Sequence, residues 1–292
     1  MFKMGKSSMV ILGLSLALLS GCAQQAEQPA VTTTAQTQTA TQAPAQTPVQ
    51  TAAASQTPAQ QVELTISAAA SLTDALKEIQ TAYESKHKNI KLNFNFGASG
   101  ALQQQIEQGA PSDLFLSAAT KNMKALVDQQ LIDASQQANL LVNELVVVVP
   151  ADGKAAFAKI EDLTSSDVKH LAIGEPQTVP AGSYAKDALT YAKQWDAFQP
   201  KLVQGKDVRQ VLTYVETGNA EAGFVYKTDA LTSKKVKVAF AVDPKSYTPI
   251  AYPAGIVKAT KHSQEAGDFY AYLKTKEAQD VFVKYGFTIP AK

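Results

Sequence analysis

From Leu64 onward the apolar residues follow two spacings in turn, and the switch between them recurs along the chain. Leu64, Thr65 and Ile66 have the apolar and β-branched character of a strand. From Leu72 the spacing becomes helical, with Leu72, Ala75, Leu76 and Ile79 on one face of a helix expected over 72–86. Ser71 stands where that helix should be capped. An alternating strand over 90–96 then runs through Gly97-Ala98-Ser99-Gly100 into a helix carrying Leu102 and Ile106. A short buried strand is expected over 113–117. A helix with Met123, Leu126 and Val127 follows and takes in Leu131 and Ile132 after a turn.

The β-branched run 145–149, ended by Pro150, reads as a strand buried on both faces. Residues 171–174 form a strand before a helix with Pro180 in its first turn, a favourable place for proline. Leu202-Val203 precedes a helix opened by Asp207, a good N-cap. Strands over 222–226, 236–242 and 250–257 lead to closing helices over 263–273 and 276–285. Such alternation implies an α/β protein built from βαβ units, with ligands expected at the strand-to-helix turns.

Composition divides the chain unevenly. Lys and Arg number 27 against 26 Asp and Glu, so the charge is near zero, which argues against a nucleic-acid partner. Residues 1–22 read as a secretory signal, with Lys3 and Lys6 before the apolar run 9–19. It ends in Leu19-Ser20-Gly21-Cys22, which resembles the lipobox of bacterial lipoproteins. Cys22 is the single cysteine of the chain and is the expected lipidation site. Residues 23–61, rich in Ala, Gln, Thr and Pro, lack the apolar surface to offset ordering entropy and read as a tether. About 230 residues remain, comfortable for two lobes.

Catalytic chemistry finds little support. His87, His170 and His262 are far apart and have no second ligand at metal spacing. No P-loop, Gly-x-Ser-x-Gly elbow or dinucleotide fingerprint occurs. The turns offer neutral donors instead: hydroxyl and N–H at Ser71 and Ser99, and backbone N–H at Ala181 and Val208. Tyr226, ending its strand, reads equally as a packed ring or as a ligand phenol.

Several of these stretches together resemble one family. Ala68-Ala69-Ala70-Ser71-Leu72-Thr73-Asp74-Ala75 is similar to the opening motif of the molybdate-binding proteins of ABC importers. So are residues 105–115, Val179-Pro180-Ala181-Gly182-Ser183-Tyr184-Ala185-Lys186, Asp207-Val208-Arg209 and Tyr285-Gly286-Phe287, in order and spacing. One departure is Gly97-Ala98-Ser99-Gly100, where relatives often carry a run of serines. The resemblance implies a type II periplasmic binding fold, with two lobes of mainly parallel sheet flanked by helices and the ligand in the cleft. Lobe 1 is expected over 62–142 and 252–292, lobe 2 over 143–251. The implied ligand residues are Ser71, Ser99, Ala181, Val208 and Tyr226, holding molybdate or tungstate as an oxyanion with no cofactor and no cation site. The implied partners are an ABC permease with its ATPase, and a membrane reached through the lipid anchor. The implied form is a non-catalytic, exported, lipid-anchored monomer. Alternatives are another tetrahedral oxyanion, sulfate above all, or a hydrolase using Ser71 or Ser99.

Overall fold

The computed structural model describes residues 61–154 and 156–291; the leader 1–22 with Cys22, and the tether up to residue 60, lie outside the described residues. Strand β1 (Val62–Ala69) passes through one 3-10 turn, Ala70–Leu72, into α1 (Thr73–Lys86). Then come β2 (Ile90–Gly97), α2 (Ser99–Glu107), β3 (Leu114–Leu116), α3 (Thr120–Asp128) and β4 (Ile132–Asn143). The middle of the chain forms β5 (Leu145–Pro150), β6 (Leu171–Gly174), α4 (Pro180–Tyr191), α5 (Trp195–Phe198), β7 (Leu202–Gly205) and α6 (Val208–Glu216). After β8 (Ala222–Tyr226), α7 (Lys227–Leu231) and β9 (Val236–Ala241), the chain closes with β10 (Ile250–Val257), α8 (Ser263–Tyr272) and α9 (Lys276–Lys284).

The strands form two five-stranded sheets, ordered β2-β1-β3-β10-β4 and β7-β6-β8-β5-β9. Each sheet with its helices makes one lobe. The chain crosses between them after β4 and returns after β9. In each sheet the first two pairings in that order are parallel and the last two antiparallel. The sheets are thus evenly mixed, where helix–strand alternation pointed to mainly parallel ones. The cause is connectivity. β5 and β10 enter their sheets straight from the other lobe, without the crossover helix that makes a neighbour parallel.

β5 has the interior position its sequence implies, with Val147 opposite Phe224 on one side and Phe240 on the other. β4 is unlike the expected pattern, because Ile132 opens a strand instead of prolonging a helix. Its residues 133–136 are exposed, and it lies at the sheet edge, paired with β10 along its length and bridged at Val142 to Thr288. Its buried side chains are confined to its two ends, Ile132 at one and Leu140, Leu141 and Asn143 at the other, and backbone pairing holds the polar middle, so no apolar alternation marks it.

Candidate functional site

Five strand ends of the two lobes converge on one small cavity. Ala69, Ala70 and Ser71 come from the end of β1, and Gly97, Ala98 and Ser99 from the passage between β2 and α2. Across the cleft stand Val179, Pro180 and Ala181 at the start of α4, Val208 at the start of α6, and Tyr226 at the end of β8. All five residues singled out in the sequence therefore line the same space. Its free space is about 10 Å³, room for the centre of one water-sized sphere and far below the ~300–1,000 Å³ typical of drug-sized ligands.

Local chemistry sets each element at its angle. A Cβ on Gly182 would lie 1.9 Å from the Gly174 carbonyl oxygen, so α4 meets the end of β6 closely only because both residues are glycine. Pro180 takes the first helical position, where a missing N–H costs nothing. The N–H of Ala181 next to it has no partner inside the helix. Asp207 caps α6 by accepting from Gln210 N–H at 2.9 Å, which leaves the Val208 N–H free of helical bonds. Ser99 opens α2 and is fully buried; its Oγ accepts from Ala118 N–H at 2.9 Å. An anion here meets three helix N-termini, each contributing up to about 2 kcal/mol when partly buried.

Ser71 does not cap α1. The 3-10 turn puts Leu72 at the cap position, and the Ser71 hydroxyl instead lies 2.9 Å from the Tyr252 hydroxyl. Tyr226 packs edge-on against the Tyr252 ring, with centroids 5.8 Å apart. Among the described residues its buried hydroxyl makes no hydrogen bond of full geometry, and burial raises its pKa well above the ordinary tyrosine value. An unsatisfied buried hydroxyl costs about 1–3 kcal/mol, so a site that keeps one at its wall is suited to a ligand that accepts from it.

Contacts between the lobes surround the cavity. Gly100 N–H donates to Thr178 O at 2.9 Å, and a Cβ on Gly100 would stand 2.6 Å from that oxygen. Glycine at this turn thus lets the opposite backbone close upon it. Glu175 shapes that opposite turn by accepting from Thr178 N–H at 2.8 Å and from its hydroxyl at 2.7 Å. On the other flank Arg209 Nη2 lies 2.6 Å from Asp74 of α1, while its Nε is 2.7 Å from the buried carboxylate of Asp229. Burial pushes the Asp229 carboxyl up to about 6, against the pull of Arg209. The charge of Arg209 is thereby engaged between lobes, and among the described residues no Lys or Arg lines the cavity. Sequence reasoning passed over Arg209, Gly100 and Tyr252 as site elements. Among them, only the glycine carried a local signal.

Neither serine has a general base beside it. Ser71 pairs with a phenol and Ser99 with a backbone N–H. His87 stacks on Tyr83, His170 lies 3.7 Å from Glu221 and His262 precedes α8; none lines the cavity. Among the described residues no helix is long and apolar enough to cross a membrane, and no cluster of three His, Cys, Asp or Glu is placed to hold a metal.

Comparison with known proteins agrees with this architecture. Residues 64–288 match the family model described as bacterial extracellular solute-binding protein. The chain is 53% identical over 228 residues to "Putative ABC transporter substrate-binding lipoprotein YvgL" of Bacillus subtilis (strain 168), covering 78% of this chain and 87% of that one. It is 40% identical over 231 residues to the molybdate-binding protein ModA of Escherichia coli (strain K12), covering 78% and 89%. The solved periplasmic molybdate-binding protein of Azotobacter vinelandii shares the fold, with a TM-score of 0.71 at 24% identity over 78% of this chain and 100% of that one. The chain belongs to the bacterial extracellular solute-binding proteins of ABC importers.

Proposed function

We propose that the protein captures molybdate, and tungstate with it, between its two lobes and delivers it to an ABC permease and its ATPase. The observation that carries this reading is the cavity wall: Ser71, Ser99, Ala181, Val208 and Tyr226, from four strand-to-helix turns and one strand end, bring hydroxyl and helix-terminal N–H donors around one small space with no Lys or Arg among its lining residues. A small anion so enclosed exchanges water for fixed donors, each bond to a charged group being worth about 1.5–3 kcal/mol. The molybdate-binding relatives support the choice of ion. The protein acts as a carrier rather than an enzyme, since neither serine has a base to activate it. It is exported and works as a monomer, tethered outside the cytoplasm by lipid on Cys22. The Leu19-Ser20-Gly21-Cys22 sequence supports the anchor, as does a Bacillus subtilis relative named as a lipoprotein.

The test is isothermal titration of the purified full-length protein in detergent with molybdate, tungstate, sulfate and phosphate. Tight binding of the first two and weak or absent binding of the others is expected. Preference for sulfate would replace the ion but keep the mechanism. Binding of none would overturn it.

A further inference from the structure

Behind the cavity wall runs a buried polar chain that the proposed ligand contacts leave unexplained. Ser71 Oγ is 2.9 Å from Tyr252 Oη, which is 3.2 Å from Asn143 Nδ2. The same nitrogen donates to Thr228 Oγ1 at 2.9 Å, and Asn143 Oδ1 accepts the Glu144 N–H at 2.9 Å. Bond directions follow one from another. A backbone N–H can only donate, so it fixes which end of the Asn143 amide is oxygen. The two protons of the other end then go to Thr228 and Tyr252. The Tyr252 oxygen is thereby an acceptor, and its own proton needs another acceptor. Among the described residues the Tyr226 and Ser71 hydroxyls both face it, and Ser71 Oγ, at 2.9 Å, is the one in full hydrogen-bond geometry. With its oxygen accepting from the phenol, Ser71 has its proton left for the cavity. Ser99 reaches the same state by accepting from Ala118 N–H.

We propose that Tyr252, itself oriented by Asn143, is a positioning residue that turns the Ser71 hydroxyl into a fixed donor toward the bound oxyanion. This rests on reading the cavity as the oxyanion site. Tyr252 comes from β10 and does not line the cavity, so it sets affinity through Ser71 and not by touching the ligand. An unoriented serine hydroxyl spends part of its time donating elsewhere, and the anion must recover that preference on binding. The ring itself is held independently, edge-on to Tyr226 and to Phe287 at centroid distances of 5.8 and 5.3 Å. Removing the hydroxyl therefore leaves the packing in place.

The experiment is a double-mutant cycle read by titration with molybdate on the full-length protein in detergent: wild type, Tyr252→Phe, Ser71→Ala, the pair, and Tyr252→Phe with Ser99→Ala. Loss of one neutral hydrogen bond's worth of orientation raises Kd about three- to tenfold in the wild-type background. The same substitution has no further effect in Ser71→Ala, but keeps its full factor in Ser99→Ala. Asn143→Ala, which leaves the phenol but removes the group that directs it, shows the same dependence on Ser71. An equal factor in both serine backgrounds would show that Tyr252 acts by packing, and an unchanged Kd would show that it does not act; either overturns the proposal. Failure of the wild type to bind molybdate condemns the choice of ion instead, and the cycle is then run with whichever of tungstate or sulfate the wild type holds. Binding of no oxyanion removes both.

Discussion

Tyr226→Phe isolates one donor of the cavity while keeping the ring that fills the wall. The hydroxyl is buried and makes no hydrogen bond of full geometry among the described residues, so deleting it breaks none there. Without ligand, the variant is therefore expected to melt no lower than wild type, and higher where the buried hydroxyl carries its desolvation cost of about 1–3 kcal/mol. Bound molybdate reverses the comparison. A hydrogen bond to a charged acceptor is worth about 1.5–3 kcal/mol, and a loss of about 2 kcal/mol raises Kd about 30-fold. Wild type at 100 times its Kd gains about 2.7 kcal/mol from the anion; the variant at the same concentration sits near 3 times its own Kd and gains about 0.8 kcal/mol. At about 3 °C per kcal/mol for a folded part of this size, the molybdate-induced rise in Tm falls from about 8 °C to about 2–3 °C. Differential scanning fluorimetry with and without molybdate measures both arms. A lower Tm without anion together with an undiminished molybdate shift would refute the reasoning, because Tyr226 would then serve the core and not the ligand.

Three further outcomes follow from particular contacts. Gly182→Ala drives a Cβ to within 1.9 Å of the Gly174 carbonyl, so a loss of several kcal/mol of stability and a weakened second lobe are expected by chemical denaturation. Asp74→Asn removes the interlobe charge opposite Arg209; as the pair is partly exposed, Kd should rise only a few-fold, through faster release in stopped-flow chase. Cys22→Ala in the full-length chain should move the protein from the membrane to the soluble fraction, and equal partition of both forms would remove the anchor.

Much of the site was legible because it sits where periodicities change. Ser71, Ser99, Ala181, Val208 and Tyr226 all lie at ends of strands or starts of helices, positions that hydrophobic spacing locates within a residue or two. Asp207 and Pro180 sit at the helix starts their chemistry favours. The misread features share one physical origin, dependence on partners distant in sequence. Ser71 resembles a cap locally, yet its hydroxyl is committed to Tyr252, 181 positions away. β4 is stabilised by its pairing with β10, so its polar side chains hide it. Arg209 looks like an ordinary surface residue of α6 until Asp74 is brought across the cleft, 135 positions earlier in the chain. Gly100 gave a hint of close approach without naming Thr178 as what approaches.

The neutrality of the cavity wall has a consequence for pH. Serine hydroxyls and backbone N–H groups do not titrate, and burial holds the phenols of Tyr226 and Tyr252 well above the ordinary tyrosine value. The three histidines stand elsewhere. Asp229, in α7 next along the chain from Tyr226, is the nearby group that changes charge close to neutrality, at about 6. Molybdate keeps both its charges above that point. Affinity is therefore expected to be level from about pH 7 to 8.5, between Asp229 below and the tyrosines above. Below this plateau a proton on Asp229 releases its hold on Arg209, so any drift in Kd near pH 6 should vanish in Asp229→Asn. Stability obeys a separate sign. The folded carboxyl titrates above its unfolded value of about 3.9, so its contribution is full below about pH 4 and is lost as pH rises through about 6. Denaturation from pH 4 to 7 should then show wild type losing stability relative to Asp229→Asn while molybdate affinity on the plateau stays fixed. A tenfold loss of affinity between pH 7 and 8.5 would mean that a titrating cation faces the anion, and the neutral donor wall would have to be given up even with molybdate as the ligand.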